Sequence, residues 1–116
     1  MKRGSDFLKI MLCIEPTDMR KQANGLSEMV QNSLDKNPFA DCLYLFCNRR
    51  RDILKALYFD KAGFCLWTKR LDQSRFPWLR VKDKVVVEIN SKDFELIIDG
   101  VDVFKRHKKL DFESVS

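Results

Sequence analysis

The stretch LYLFCNRRRDILKALYFDKAGFCLWTKRL, residues 43–71, decides the fold. Residues 43–47 form an apolar run of single-strand length. Asn48-Arg49-Arg50-Arg51-Asp52 is a polar turn. Residues 53–59 read as a second strand, rich in apolar and aromatic side chains. Asp60-Lys61-Ala62-Gly63 is a tight connection, with Gly63 the expected residue of positive φ. Residues 64–70 read as a third strand. Connections this short join antiparallel neighbours, because a parallel pair needs a long crossover.

Upstream, residues 7–14 alternate loosely and predict a strand that Pro16 stops. Thr17 fits a helix N-cap, and Asp18 suits a first turn, where negative charge meets the positive helix end. Met19, Ala23, Leu26, Val30 and Leu34 follow at helical spacing and define one buried face. Asn37-Pro38 ends that segment. Downstream, residues 71–83 read as a loop broken by Pro77, and residues 84–89 as a Val-rich strand. Ser91 is placed to cap a short helix over 92–99, with Phe94, Ile97 and Ile98 on one face and Gly100 as its stop. The order β-α-β-β-β-β-α predicts an α+β fold: an antiparallel β-meander sheet with one long N-terminal helix and one short C-terminal helix packed on it. Residues 1–104 are expected to form a single domain and residues 105–116 a flexible charged tail.

With 116 residues, 45% of them apolar and 34% charged, the chain is too apolar to be disordered and long enough for one core. Its four cysteines, Cys13, Cys42, Cys47 and Cys65, contain no CxxC pair, and the single histidine, His107, is remote from them. That pattern argues against structural zinc and for reduced thiols in a core. The apolar patch at 7–14 is too short, and too interrupted by Lys9, for a signal sequence or a membrane span, so a cytoplasmic protein is expected. Asp18, Asp52, Asp60 and Asp72 each fit a cap, turn or loop, beside cations or glycine. No carboxylate set, Gly-rich phosphate loop or nucleophile elbow stands out. The expectation is no catalytic residue, no metal and no cofactor, with Asp52 the one acid worth testing.

Charge is where the sequence is most informative. The net charge is +5, yet residues 43–82 hold ten Lys/Arg against three Asp/Glu, while the remainder holds twelve against fourteen. In an antiparallel meander the 48–52 turn and the end of the third strand fall at the same sheet edge. Arg49, Arg50 and Arg51 should therefore meet Lys69, Arg70 and Arg75, with Arg80 and Lys82 following. Arginine and lysine bind phosphate oxygens, and each neutralised phosphate releases condensed counterions. The same segment carries eight of the thirteen aromatic residues. Tyr58, Phe59 and Phe64 read as core. Trp78, on the Pro-broken loop, fits either the core or a base or groove contact. Arg20 and Lys21, at the strand-to-helix junction, are further candidates for backbone contacts, although Asp18 would compete with a phosphate there.

Pro16-Thr17-Asp18-Met19-Arg20-Lys21, Gly25-Leu26 and Asn37-Pro38-Phe39, followed by the 43–71 block, Arg75-Phe76 and Trp78, resemble the TnpB accessory proteins of IS66 insertion sequences. The likeness runs over residues 8–100, in order and at near-family spacing. Gln22-Ala23 and Leu79 depart from the family pattern, and the stretch after Gly100 carries no family signal. These proteins are distinct from the RNA-guided nucleases that share the name TnpB. The resemblance implies a non-catalytic role in transposition beside a separately encoded transposase. Its expected partners are DNA at the element ends or, for a protein adaptor, the transposase itself. A binder of unpaired strands or structured RNA is a third reading.

Overall fold

The computed structural model describes residues 6–104. In chain order its elements are β1 (Lys9–Cys13), α1 (Ala23–Asn32), β2 (Cys42–Cys47), β3 (Ile53–Asp60), β4 (Gly63–Arg70), β5 (Val86–Ile89) and α2 (Ser91–Ile98). The five strands form one sheet in the order β4-β3-β2-β1-β5. The meander β2-β3-β4 is antiparallel, with Cys47 opposite Leu54 and Leu54 opposite Lys69.

The sheet is mixed rather than antiparallel throughout, which corrects the sequence-based expectation. β1 runs parallel to β2, Ile10 lying opposite Leu43, and antiparallel to β5, Ile10 lying opposite Ile89. Helix α1 is the crossover that parallel pairing requires. The first strand thus lies between the second and the last, with a different orientation on each side.

β2 is the central strand, and all six of its residues are buried. Alternation sends its side chains to two separate cores. Leu43 and Leu45 join Leu12, Leu54, Ala56, Phe76, Trp78, Phe94 and Ile97 on one face. Tyr44 and Phe46 join Met11, Leu26, Val30, Leu34 and Leu57 on the other. The first face is covered by α2 and the 76–79 loop, the second by α1. Each fully buried Leu or Phe contributes roughly 1.5–3 kcal/mol of transfer free energy, offset by the loss of chain entropy.

The N-terminal helix has 10 residues and is not long. Met19 and Leu34 lie on its apolar face, as their spacing predicts, but outside the helix. Its N-cap is Gln22, whose side chain makes no capping bond. Thr17 caps nothing. It is buried in an extended loop, and its amide donates to the Cys47 carbonyl at 2.9 Å. Tertiary hydrogen bonds hold residues 17–22 out of the helix: Lys55 Nζ donates to the carbonyls of Met19 and Lys21, each at 2.8 Å. The Met19 carbonyl is the acceptor that the Ala23 amide would need in a longer helix.

Two smaller corrections concern turns. Asn90, not Ser91, caps α2, its side chain accepting from the Asp93 amide at 2.7 Å. In the β3–β4 hairpin the positive φ falls on Lys61, at 56°, and not on Gly63, which opens β4. Gly100 ends α2 with φ of 82°. The charged tail expected over 105–116 lies outside the described residues. Among the described residues no helix is long and apolar enough to cross a membrane.

Candidate nucleic-acid interface

One end of the sheet is assembled from the C-terminal ends of β1, β2 and β4 and the N-terminal ends of β3 and β5. Three connections converge there: residues 14–21, 48–53 and 69–85. Together they carry eleven Lys/Arg and five Asp/Glu.

Backbone hydrogen bonds fasten these connections to one another. The Leu71 amide donates to the Asp52 carbonyl at 2.8 Å, and the Phe76 amide to the Arg51 carbonyl at 2.7 Å. The Ile14 amide donates to the Val85 carbonyl at 2.9 Å. Residues 71–85 therefore run as a strap across the sheet end, from the β4 edge to the β5 edge. The strap seats Phe76 and Trp78 in the core beneath it and leaves Arg75 and Arg80 exposed.

The arginine turn is rigid for reasons internal to its sequence. Asn48 Oδ1 accepts from the amides of Asp52 and Ile53, and its Nδ2 donates to Asp52 Oδ1 at 2.7 Å. That bond from Asn48, helped by the nearby positive charge of Arg50 and Arg70, holds the Asp52 carboxyl below its usual range. Arg51 has φ of 62°, a left-handed conformation that costs an L-residue energy. Its amide closes the turn onto the Asn48 carbonyl at 3.1 Å. Arg49, Arg50 and Arg51 all project into solvent.

The structure sorts the cations singled out from sequence. Arg49, Arg51, Arg70 and Arg75 are exposed, and no acid among the described residues pairs with them. Arg50 lies 3.9 Å from Asp52 and is partly neutralised. Arg20 grips Asp18 at 2.7 Å, so it brings little net charge. Lys21 is exposed beside it. Lys69 and Arg70 are neighbours on β4 and point to opposite faces of the sheet. Lys69 is committed to the C-terminus of α2, its Nζ donating to the Ile98 carbonyl at 2.7 Å.

Trp78 is not a surface aromatic. It is 6% exposed, and its indole N–H donates to the Cys13 carbonyl at 2.8 Å. Stacking on a base would require the ring to leave the core, so Trp78 is a structural residue of the strap. Tyr58 is buried, whereas Phe59 and Phe64 are half-buried and cluster with exposed Phe39 at the far end of the sheet. Arg80, named from sequence only as following the basic cluster, is fastened to the end of β1. Its guanidinium donates through Nη1 to the Ile14 carbonyl. Partial burial of its guanidinium lowers its pKa, and the like charge of Arg51 adds to that effect. The available sequence signal was a single cation two positions after Trp78 in the apolar run Phe76-Pro77-Trp78-Leu79-Arg80-Val81.

Among the described residues, no group of three His, Cys, Asp or Glu side chains is placed to hold a metal ion. Fold and site together define a small α+β protein with a cationic sheet end braced from beneath by a loop. The chain belongs to the IS66 Orf2-like family of insertion-sequence accessory proteins: the family described as IS66 Orf2 like protein matches residues 8–108. Two proteins of Sinorhizobium fredii are similar to it. The uncharacterized protein y4jC is 33% identical over 82% of this chain and 80% of its own length. The uncharacterized protein y4hO is 32% identical over 82% of each. No solved structure matches the chain.

Proposed function

We propose that this insertion-sequence accessory protein binds DNA, seating the phosphate backbone of the element ends on the cationic end of its sheet. One observation carries the reading. Arg49, Arg51, Arg70, Arg75 and Arg80 gather at that end with no acid among the described residues paired to them. Unpaired guanidiniums held on braced turns repel one another, and a polyanion relieves that repulsion while releasing its own counterions. Trp78 plays no part in this reading, because phosphate contacts position a protein on a duplex without reading bases. The chemistry of strand cleavage and joining is assigned to the separate transposase.

The test is binding of full-length protein to an element-end duplex across a salt series. Substituting Arg49, Arg50 and Arg51 together with Ala is expected to weaken binding and flatten the log–log salt slope by about one to three units. Unchanged affinity and slope would remove the reading.

A second reading, a protein adaptor for the transposase, draws on the opposite end of the sheet. There Phe39, 58% exposed, meets Phe59 and Phe64 with ring centroids 5.0 and 5.3 Å away. Exposed aromatic clusters are typical anchors of protein interfaces. A transposase complex that survives nuclease treatment, together with no affinity for DNA, would favour the adaptor.

A further inference from the structure

We infer that the chain forms a two-fold dimer, the free edge of β4 pairing antiparallel with β4 of a second copy. The dimer requires no DNA and stands whether or not the cationic end binds phosphate.

β4 closes one side of the sheet and β5 the other. Hydrogen bonding fixes which residues of β4 face outward. The Leu71 amide donates to the carbonyl of Asp52, its opposite in the register that pairs Ile53 with Arg70. Bonded pairs alternate along an antiparallel ladder, so Lys69, Trp67, Cys65 and Gly63 bond to β3. The backbone groups of Phe64, Leu66, Thr68 and Arg70 point away from the sheet. Among the described residues, nothing accepts from the amides of Phe64, Leu66 or Thr68. A free edge invites another strand, and proteins blunt it by shortness, charge, proline or a bulge. β5 is blunted: it has 4 residues, and alternation from the Ile14–Val85 bond turns the backbone of Glu88 outward. β4 has 8 residues in unbroken register, with no proline and no charge before Lys69. None of them is buried.

The sequence of β4 suits a copy of itself. Its charges sit at one end, on Lys69 and Arg70, and residues 63–68 carry none. Parallel pairing in register would set like charges side by side, which destabilises a sheet. Antiparallel pairing about a two-fold axis at Leu66 matches outward residues with outward residues: Leu66 with Leu66, and Phe64 with Thr68 of the second copy. On the opposite face Trp67 meets Cys65, an aromatic ring against a sulfur. Apolar pairs and aromatic–β-branched pairs are favourable across strands. The uncharged residues 64–68 thus overlap one another completely. Lys69 falls opposite Gly63 of the second copy, whose own hairpin partner is Asp60. Arg70 falls beyond the overlap and stays in solvent. Cys65, Leu66 and Trp67, which lie at the margins of the two cores and are only partly buried, gain cover. The two sheets become one, with α1 on the same face in both copies and the cationic ends pointing in opposite directions.

Sedimentation velocity of the full-length protein, over a range of concentrations, is expected to show monomer giving way to dimer. A chain that stays monomeric throughout would overturn the pairing. Two substitutions act on the edge alone. Thr68→Pro removes an outward amide that β3 does not use, and Thr68→Arg sets a charge against Phe64 of the second copy. Thr68 is exposed, so both variants are expected to fold, as circular dichroism would verify. Each is expected to weaken dimerisation by about tenfold or more. A dimer of undiminished affinity in both folded variants would place the contact elsewhere and overturn the pairing. Hydrogen exchange followed by NMR reads the edge in the native chain itself. The amides of Phe64, Leu66 and Thr68 are expected to gain protection as concentration rises, while those of Cys65, Trp67 and Lys69 are protected throughout. Dimerisation that leaves the three outward amides in fast exchange would also overturn the pairing.

Discussion

The indole N–H of Trp78 donates to the backbone carbonyl of Cys13 across 2.8 Å, joining residues 65 positions apart. This bond anchors the strap to β1 and so fixes the floor beneath the arginine turn. Trp78→Phe keeps most of the ring and leaves the Cys13 carbonyl without its donor. The expected cost is about 1–3 kcal/mol in urea unfolding. Folded protein should bind DNA almost as well as the native chain, because the ring is core. A large loss of affinity without loss of stability would return Trp78 to the surface of contact.

Lys55 is 5% exposed, and its Nζ donates to two backbone carbonyls, of Met19 and Lys21. Lys55→Met preserves the aliphatic stem and removes both bonds. We expect a loss of about 1–3 kcal/mol and faster hydrogen exchange confined first to residues 17–22. Protection lost equally over the whole sheet would contradict the role given to this lysine.

Asp18 is held well below its usual 3.8, at about 2, by the side-chain hydrogen bond from Arg20 and then by the Arg20 amide. A carboxylate with depressed folded-state pKa stabilises the fold above the unfolded value. That contribution disappears as pH falls from about 4 toward 2. The pair is exposed, so salt should weaken it. An NMR titration should place the Asp18 midpoint near 2, rising toward the ordinary value in Arg20→Gln. Above pH 4, Asp18→Asn frees Arg20 and should strengthen DNA binding slightly, whereas Arg20→Gln should change it little.

Burial pushes the Cys42 thiol up to about 11 and the Cys47 thiol up to about 12, and it raises Cys13 as well. Thiolate is the reactive form, so these three should resist iodoacetamide in the native protein near pH 8. Cys65 is only partly buried and should be alkylated first. Mass spectrometry under native and unfolded conditions would check this order. Early modification of Cys47 would mean that the sheet end opens far more readily than its hydrogen bonds imply.

The meander was legible in the sequence because its signals are local. Residues 43–47, 53–59 and 64–70 alternate or run apolar between polar turns, and turns that short leave one pairing. The parallel pairing of β1 with β2 was not legible, since the connection between them is long enough for either direction. The helix expected from Thr17 onward shows how tertiary structure overrides periodicity. Met19 has the right spacing, but Lys55, a residue 36 positions away, takes its carbonyl. At the candidate site, the meeting of residues 49–51 with residues 71–76 follows from hairpin geometry. The opposed directions of Lys69 and Arg70 also follow from strand alternation. The burial of Trp78 and the placement of Arg80 do not, because both depend on where an irregular loop crosses the sheet.

The strap also sets a schedule. A ribosome releases Arg49, Arg50 and Arg51 well before residues 76–85, which supply the Phe76 bond to the turn and the Arg80 bond to Ile14. A nascent chain stopped short of Phe76 carries the arginines without their brace. The complete cationic end therefore forms only after residues 76–85 have been made.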